Sequence, residues 1–253
     1  LKNLVINADD FGYDADTYST TSALLERGVI RSATILVDYP EAEAAMRFAK
    51  AHEKECSFGL HFNIAENTPV ARDPVPSLVN ASGQFRGAIV QRLRALAGLL
   101  DPADIAREAN AQLGILADYG ITPTHIDSHG HFHKFPAVLD ALRPVLKRFG
   151  IKRVRRPQTL YDNPTFYNGW LDGHCNKRFF GVVSTDHFFN TRSHDVNWFS
   201  RFLAMLPQGT TELGIHPGRV ETWRNAEYLP FEKDDILDLI AQNDITLVSY
   251  HDI

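Results

Sequence analysis

The sequence lacks most of the features that would place it quickly. It has only two cysteines, Cys56 and Cys175, in 253 residues. Two thiols without metal-type spacing exclude a disulfide framework and a cysteine-ligated zinc site, and a reducing cytoplasm is the expected compartment. There is no excess of positive charge. Lys and Arg total 26 against 31 Asp and Glu, a formal net charge of −5, so a nucleic-acid partner is not expected. No apolar run approaches the ~18 residues of a membrane span. The chain opens on Leu1 instead of Met, which reads as a trimmed start, and Leu4-Val5-Ile6 is too short for a signal peptide. A phosphate-binding loop, Gly-x-Gly-x-x-Gly, Gly-x-Ser-x-Gly and a His-Glu-x-x-His helix are all missing. Nucleotide, serine-hydrolase and zincin chemistries lose their usual signatures with them.

What is present is a regular alternation of short apolar runs and longer amphipathic ones. Strands are expected at Leu4–Ile6, Ala33–Val37, Phe58–Asn63, Thr124–Asp127, Ile151–Val154, Glu212–His216 and Ile245–Tyr250, with a short one at Val182-Val183. Helices are expected over 17–27, 40–51, 101–117, 135–149, 198–206 and 231–242. Ile105, Ala109, Leu113, Leu116 and Ala117 recur at helical spacing, and Gly120 stands where a left-handed terminator belongs. Residues 64–87 read as a long loop, and 157–181 as irregular. This order predicts an α/β fold with mostly parallel strands, a single-domain distorted TIM-like barrel over 1–253. An open doubly wound sheet has the same periodicity.

Eleven histidines are the one unusual count, and the polar residues gather at the predicted strand ends. Asp9 and Asp10 follow the first strand, His61 ends the third, and His129, His131 and His133 follow the fourth. His216 ends a late strand, and His251-Asp252 follows the last. Parallel α/β folds place their sites at that edge. Each residue also has a plainer reading. Asp9-Asp10 could cap a helix, or one carboxylate could ligate a metal while the other accepts a proton. His61, within Phe58-Gly59-Leu60-His61-Phe62, could be a core histidine or a ligand. His216 before Pro217 could be a turn residue or a general acid. His125, Asp127, His129, His131 and His133 fall on alternate positions, hard to explain as packing. Asp127 could orient a ligating imidazole, and Gly130 allows the later histidines to leave that face. Arg155 and Arg156 could hold a carboxylate or substrate oxygens, and Arg153 reads as surface charge.

Asn7-Ala8-Asp9-Asp10-Phe11-Gly12, Gly59-Leu60-His61-Phe62 and Thr124 to His133 with Pro136, in that order, resemble the YdjC-like carbohydrate deacetylase family, which includes chitooligosaccharide deacetylases and hopanoid-associated relatives. Glu212 to Gly218 matches a fourth, weaker motif. The resemblance spans Leu4 to about Ser249. It implies a distorted TIM-like barrel, one divalent metal ion (Zn2+ or Mg2+) and removal of an N-acetyl group from an amino sugar. Asp10, His61 and His129 fall on the metal site, Asp9 on the neighbouring base, and His216 on the late histidine, a plausible acid. The mechanism implied is attack by a metal-activated water. Relatives often carry a further His where this chain has Gly130. Substrate contacts are expected from Arg155, Arg156, His125, Asp127 and His131, and pocket shaping from 157–200. The expected partner is an N-acetylated amino sugar, free, nucleotide-linked or lipid-linked, and a homodimer is compatible. Other readings of the same residues are a phosphoesterase or cyclic amidase on the same barrel, a non-haem iron oxygenase, and a non-catalytic sugar- or metal-binding protein.

Overall fold

The computed structural model describes residues 1–162, 165–177, 179–191, 195 and 197–253. The elements follow in the order β1 (Lys2–Phe11), α1 (Ala15–Glu26), β2 (Ser32–Ile35), α2 (Ala42–His52), β3 (Ser57–Phe62), α3 (Ala88–Leu96), α4 (Pro102–Asp118), β4 (His125–Ser128), α5 (Pro136–Arg148), β5 (Arg153–Val154), α6 (Phe166–Lys177), β6 (His187–Asn190), α7 (Trp198–Met205), β7 (Gly209–Ile215), α8 (Thr222–Glu232), α9 (Ile236–Gln242) and β8 (Ile245–Val248). A 3-10 turn occupies His129–Lys134 and another Tyr250–Asp252.

Seven parallel strands run in the order β5-β4-β3-β2-β1-β7-β6 and curl into a distorted TIM-like barrel. β1 is the hub. β7 pairs along Lys2–Ala8, β8 pairs with Lys2–Val5, and β2 meets β1 from Asn7 onward. An isolated bridge sets Val183 beside Arg153 of the outer strand β5, and another sets Leu160 beside Phe189 of the outer strand β6.

The strands sort their side chains by the period of two that a pleated chain imposes. Leu4, Ile6 and Ala8 on β1, Phe58, Leu60 and Phe62 on β3, Ile126 on β4, and Leu213 and Ile215 on β7 join one apolar cluster with the helices. The alternate residues Asn7, Asp9, Thr34, His61, His125, Asp127 and Glu212 are also buried but polar. Barrel interiors are ordinarily filled by branched aliphatic residues. Here that space holds a network of charges and hydrogen bonds, so the same alternation builds both the core and the site.

Several elements differ from the expectation. Residues 166–177 form α6, where an irregular segment is expected, because this helix carries little apolar periodicity to reveal it. β6 and α3 went unpredicted. The helix expected over 231–242 covers only the last two residues of α8 together with α9, the two being separated at Lys233, where the backbone is extended; the rest of α8 has no counterpart in the expected order. Val182-Val183 contributes a bridge and no strand. Of the 157–200 stretch, positions 163, 164, 178, 192–194 and 196 lie outside the described residues.

Candidate metal centre and active site

Adjacent residues in a regular strand point to opposite faces, yet Asp9 and Asp10 both turn towards the same site. A register irregularity between Ala8 and Phe11 breaks the pairing of β1 with β2, and Asp10 takes a left-handed φ of 60°. Bulges re-aim side chains in this way at barrel rims. A left-handed φ is uncommon for a residue with a Cβ. A second left-handed pair, Gly130 (φ 71°) and His131 (φ 58°), ends the extended run of β4. His129 therefore stays with the residues of β4, and His131 leaves them. One close approach requires a glycine: a Cβ on Gly59 would lie 2.7 Å from the His125 carbonyl oxygen.

Asp10, His61 and His129 each offer a ligand atom, and the three atoms lie within 4.8 Å of one another. Asp10 Oδ1 is 3.2 Å from His61 Nε2 and 2.9 Å from His129 Nδ1. Arg224 Nη2 holds the other Asp10 oxygen at 2.8 Å. The far side of the His61 ring is fixed as well, with Nδ1 2.7 Å from Asp127 Oδ1. A carboxylate behind an imidazole sets its tautomer and orientation, as at metal sites. Two imidazoles and one buried carboxylate form a donor set that suits a divalent ion and leaves coordination positions open. Burial disfavours charge on the His61 ring, but Asp127 and Asp10 outweigh it and push its pKa up to about 10. His129 is raised to about 9 by Asp10 and Glu66 against the same penalty. The centre attracts positive charge.

Asp9 lies beside this centre in a salt-bridge cluster. Arg155 Nη1 and Nη2 each sit 2.6 Å from an Asp9 oxygen. The same Nη1 is 2.6 Å from Asp127 Oδ2, and Nε is 2.8 Å from Glu212 Oε1. Burial raises the Asp9 pKa, but the guanidinium overcomes it and holds the carboxyl well below the usual range. Burial prevails at Glu212, whose pKa is pushed up to about 7. Its second oxygen accepts a 2.5 Å hydrogen bond from Tyr250, in the C-terminal 3-10 turn. Asn7 donates to Asp9 Oδ1 at 2.9 Å and to Thr34 Oγ1 at 3.1 Å.

His216 stands opposite, with Nε2 3.8 Å from Asp9 Oδ2. Its Nδ1 is 3.0 Å from Glu227 Oε2, the oxygen that also accepts the His216 backbone N–H at 2.8 Å. Burial opposes protonation of this ring, but Glu227 leads the groups that raise its pKa. Asp10, His129, His131 and His216 open on a cavity of about 340 Å3. Tyr13, Glu66, Arg92, Trp223 and Arg224 complete much of its wall.

The structure thus brings Asp9, Asp10, His61, His129 and His216 together. Arg155, His125 and Asp127 are fully buried beside them and do not line this cavity. His125 stacks on Tyr250 with ring centroids 3.7 Å apart, and its Nε2 is 3.1 Å from Asn7 Oδ1. Arg156 lies outside the cavity, bonded to the Asp186 carbonyl at 2.6 Å. His133 is buried against Ser128 at 2.6 Å. Sequence reasoning missed Glu227 and Arg224, which sit in α8 ahead of the expected helix, and also Glu66, Thr34 and Tyr250. Asn7, Thr34 and Glu212 did carry a signal, as polar residues on alternate positions of otherwise apolar strands.

A family model described as YdjC-like protein matches residues 3–242. A carbohydrate deacetylase from Geobacillus stearothermophilus is 37% identical over 184 residues, 71% of this chain and 72% of that one. One from Brevibacillus brevis is 31% identical over 223 residues, 86% and 82% of the two chains. A crystal structure from Enterococcus faecalis V583, of a protein named for cellobiose-phosphate cleavage, superposes with a TM-score of 0.79 at 22% identity, covering 99% of this chain and 98% of that one, and shares the fold. With the family pattern matched over nearly its whole length, this chain belongs to the YdjC-like family.

Proposed function

We propose that the protein is a metal-dependent carbohydrate deacetylase that hydrolyses the N-acetyl group of an amino sugar. The observation that carries this reading is the Asp10–His61–His129 donor set at a cavity, with Asp9 and His216 beside it. The relatives named carbohydrate deacetylases support the substrate class. A divalent ion held by these three residues supplies polarisation of the acetamide carbonyl and acidification of a water molecule. Two nitrogen donors favour zinc among such ions, and magnesium is the alternative.

The protein's own groups divide the proton work. Asp9 accepts the proton of the attacking water. Arg155 keeps Asp9 ionised and fixed in orientation, although so firm a clamp also makes it a weak base. His216, 3.8 Å away, starts protonated and gives its proton to the departing amine nitrogen. The proton on Asp9 then passes back to His216. Glu227 holds the ring and favours its charged form. Arg224 and Asp127 orient Asp10 and His61. The products are acetate and a free amino sugar.

A two-metal phosphoesterase needs a second cation site, and Asp9, His61 and Asp127 also cluster. Arg155 Nη1 already lies 2.6 Å from both Asp9 and Asp127, so a guanidinium supplies the cation between those carboxylates. That favours a single ion.

The test is acetate release from N-acetylated free oligosaccharides, nucleotide sugars and lipid-linked sugars, before and after chelation. Release that needs the metal and disappears in His61→Ala and Asp9→Asn is expected. No release from any of them by enzyme carrying one ion per chain contradicts the proposal.

A further inference from the structure

The two imidazoles of the candidate centre present opposite nitrogens to Asp10. Asp10 Oδ1 meets His61 through Nε2 and His129 through Nδ1. An ion held beside that oxygen would therefore take Nε2 from one ring and Nδ1 from the other. The remaining nitrogen of each ring faces a second carboxylate. On His61 it is Nδ1, 2.7 Å from the fully buried Asp127. On His129 it is Nε2, 3.6 Å from Glu66 Oε1. That spacing is longer than a hydrogen bond, and a small turn of the Glu66 side chain closes it. Unlike Asp127, Glu66 lines the cavity, and its side chain is 48% exposed.

An exposed carboxylate ordinarily samples many rotamers, and this one is held at both ends. Tyr39 donates its hydroxyl to Glu66 Oε2 at 3.0 Å. The Tyr39 ring stacks on Tyr13 with centroids 4.8 Å apart, and Tyr13 lies 5.0 Å from the Arg224 guanidinium that holds Asp10. The backbone is pinned by Asn63, fully buried just past the end of β3. Asn63 Oδ1 accepts the N–H groups of Ala65 and Glu66 at 2.9 and 3.2 Å, and its Nδ2 donates to the Glu66 carbonyl at 2.8 Å. The strand that carries His61 thus also sets the carboxylate that faces His129.

A neutral imidazole has one lone pair to give, and the partner of its other nitrogen decides which one carries the proton. Carboxylates serve as that partner at metal sites. We infer that Glu66, tethered by Tyr39, is the positioning residue of His129: it keeps the proton on Nε2 and leaves Nδ1 for the ion, as Asp127 does for His61 with the nitrogens exchanged. The inference rests on the metal centre proposed above and deepens it.

The experiment is zinc binding to the chelated full chain, read as a dissociation constant by competition with a metallochromic chelator, without turnover. Glu66→Ala should bind zinc about ten- to a hundredfold more weakly than the parent. Glu66→Gln and Tyr39→Phe should each lose less, since one keeps an acceptor and the other keeps the charge without its tether. Nitrogen NMR of the zinc-loaded, histidine-labelled protein, with His129 assigned by the signals missing from His129→Asn, should show zinc on Nδ1 and a proton on Nε2. That proton should move upfield in Glu66→Ala as its acceptor is lost. Zinc affinity unchanged in Glu66→Ala, or zinc on Nε2 of His129, overturns the inference. So does a loss of affinity that leaves the Nε2 proton where it stands in the parent, which would make the role of Glu66 structural. A parent that binds no zinc overturns the inference together with the metal centre, whereas a parent that binds one zinc as tightly as Glu66→Ala overturns the inference alone.

Discussion

Arg155 grips Asp9 with two nitrogens, each 2.6 Å from a carboxylate oxygen, where neither residue is exposed to solvent. The same guanidinium touches Asp127 and Glu212. One cation therefore neutralises and orients carboxylates from β1, β4 and β7. Replacing it with an uncharged chain leaves buried carboxylates uncompensated. Arg155→Met should lose about 3–5 kcal/mol of stability, seen as a lower denaturation midpoint with the slope unchanged. Arg155→Lys should restore part of the stability and little of the turnover, because an ammonium cannot reproduce the planar fork.

Metal binding should release protons. With no ion bound, His61 and His129 titrate at about 10 and about 9, so both rings are protonated at neutral pH. A cation that takes their nitrogens must displace those protons, so apparent affinity should rise with pH until about 10. Calorimetry in buffers of different ionisation enthalpy reads the number released. The sign for metal-free stability is the reverse. Both pKa values lie above the ordinary value of 6.5, so the stabilisation is full below pH 6.5 and declines as pH rises through 9 to 10. Thermal melts of the chelated protein from pH 6 to 10 check it.

Glu227→Gln isolates the contribution of a positioning residue. Among the groups raising the His216 pKa, Glu227 comes first. Without its charge, the imidazolium should lose its proton at lower pH. The alkaline limb of the kcat profile should then move to lower pH, with kcat at its optimum reduced by roughly ten- to a hundredfold. A loss of kcat with no movement of the limb would show that Glu227 serves only to hold the backbone of His216.

The polar interior was partly legible in the sequence. Adjacent carboxylates after the first strand, His61 at the end of the third and the histidines after the fourth lie in short segments whose strand-end position follows from apolar patterning. Their convergence needed only the parallel α/β topology. Arg155, Glu212 and Tyr250 meet across separations of 57 and 38 residues, and local pattern says nothing about such meetings. The bulge that turns Asp10 beside Asp9 has no sequence marker either. Helix α3 escaped notice because its apolar residues face outward, so the rule that periodicity points to the core does not locate its buried side.

Glu212 offers a pH test away from the candidate metal ligands. Burial raises its pKa from 4.5 to about 7. Between those values the native protein holds a proton that the unfolded chain has released, so stability falls as pH rises through this window. Glu212→Gln should flatten that decline by roughly 2–3 kcal/mol. Melting temperatures of parent and variant at half-unit steps from pH 4.5 to 7.5 measure it.

The central claim is that Asp10, His61 and His129 hold the ion on which acetate release depends. The direct measurement is metal content and acetate release in the same samples, as chelated enzyme is titrated with zinc and, separately, magnesium. The account predicts release rising in proportion to bound ion, reaching its plateau at one ion per chain, and absent in Asp10→Asn at the same total metal. Release at the parental rate from metal-free enzyme would contradict it.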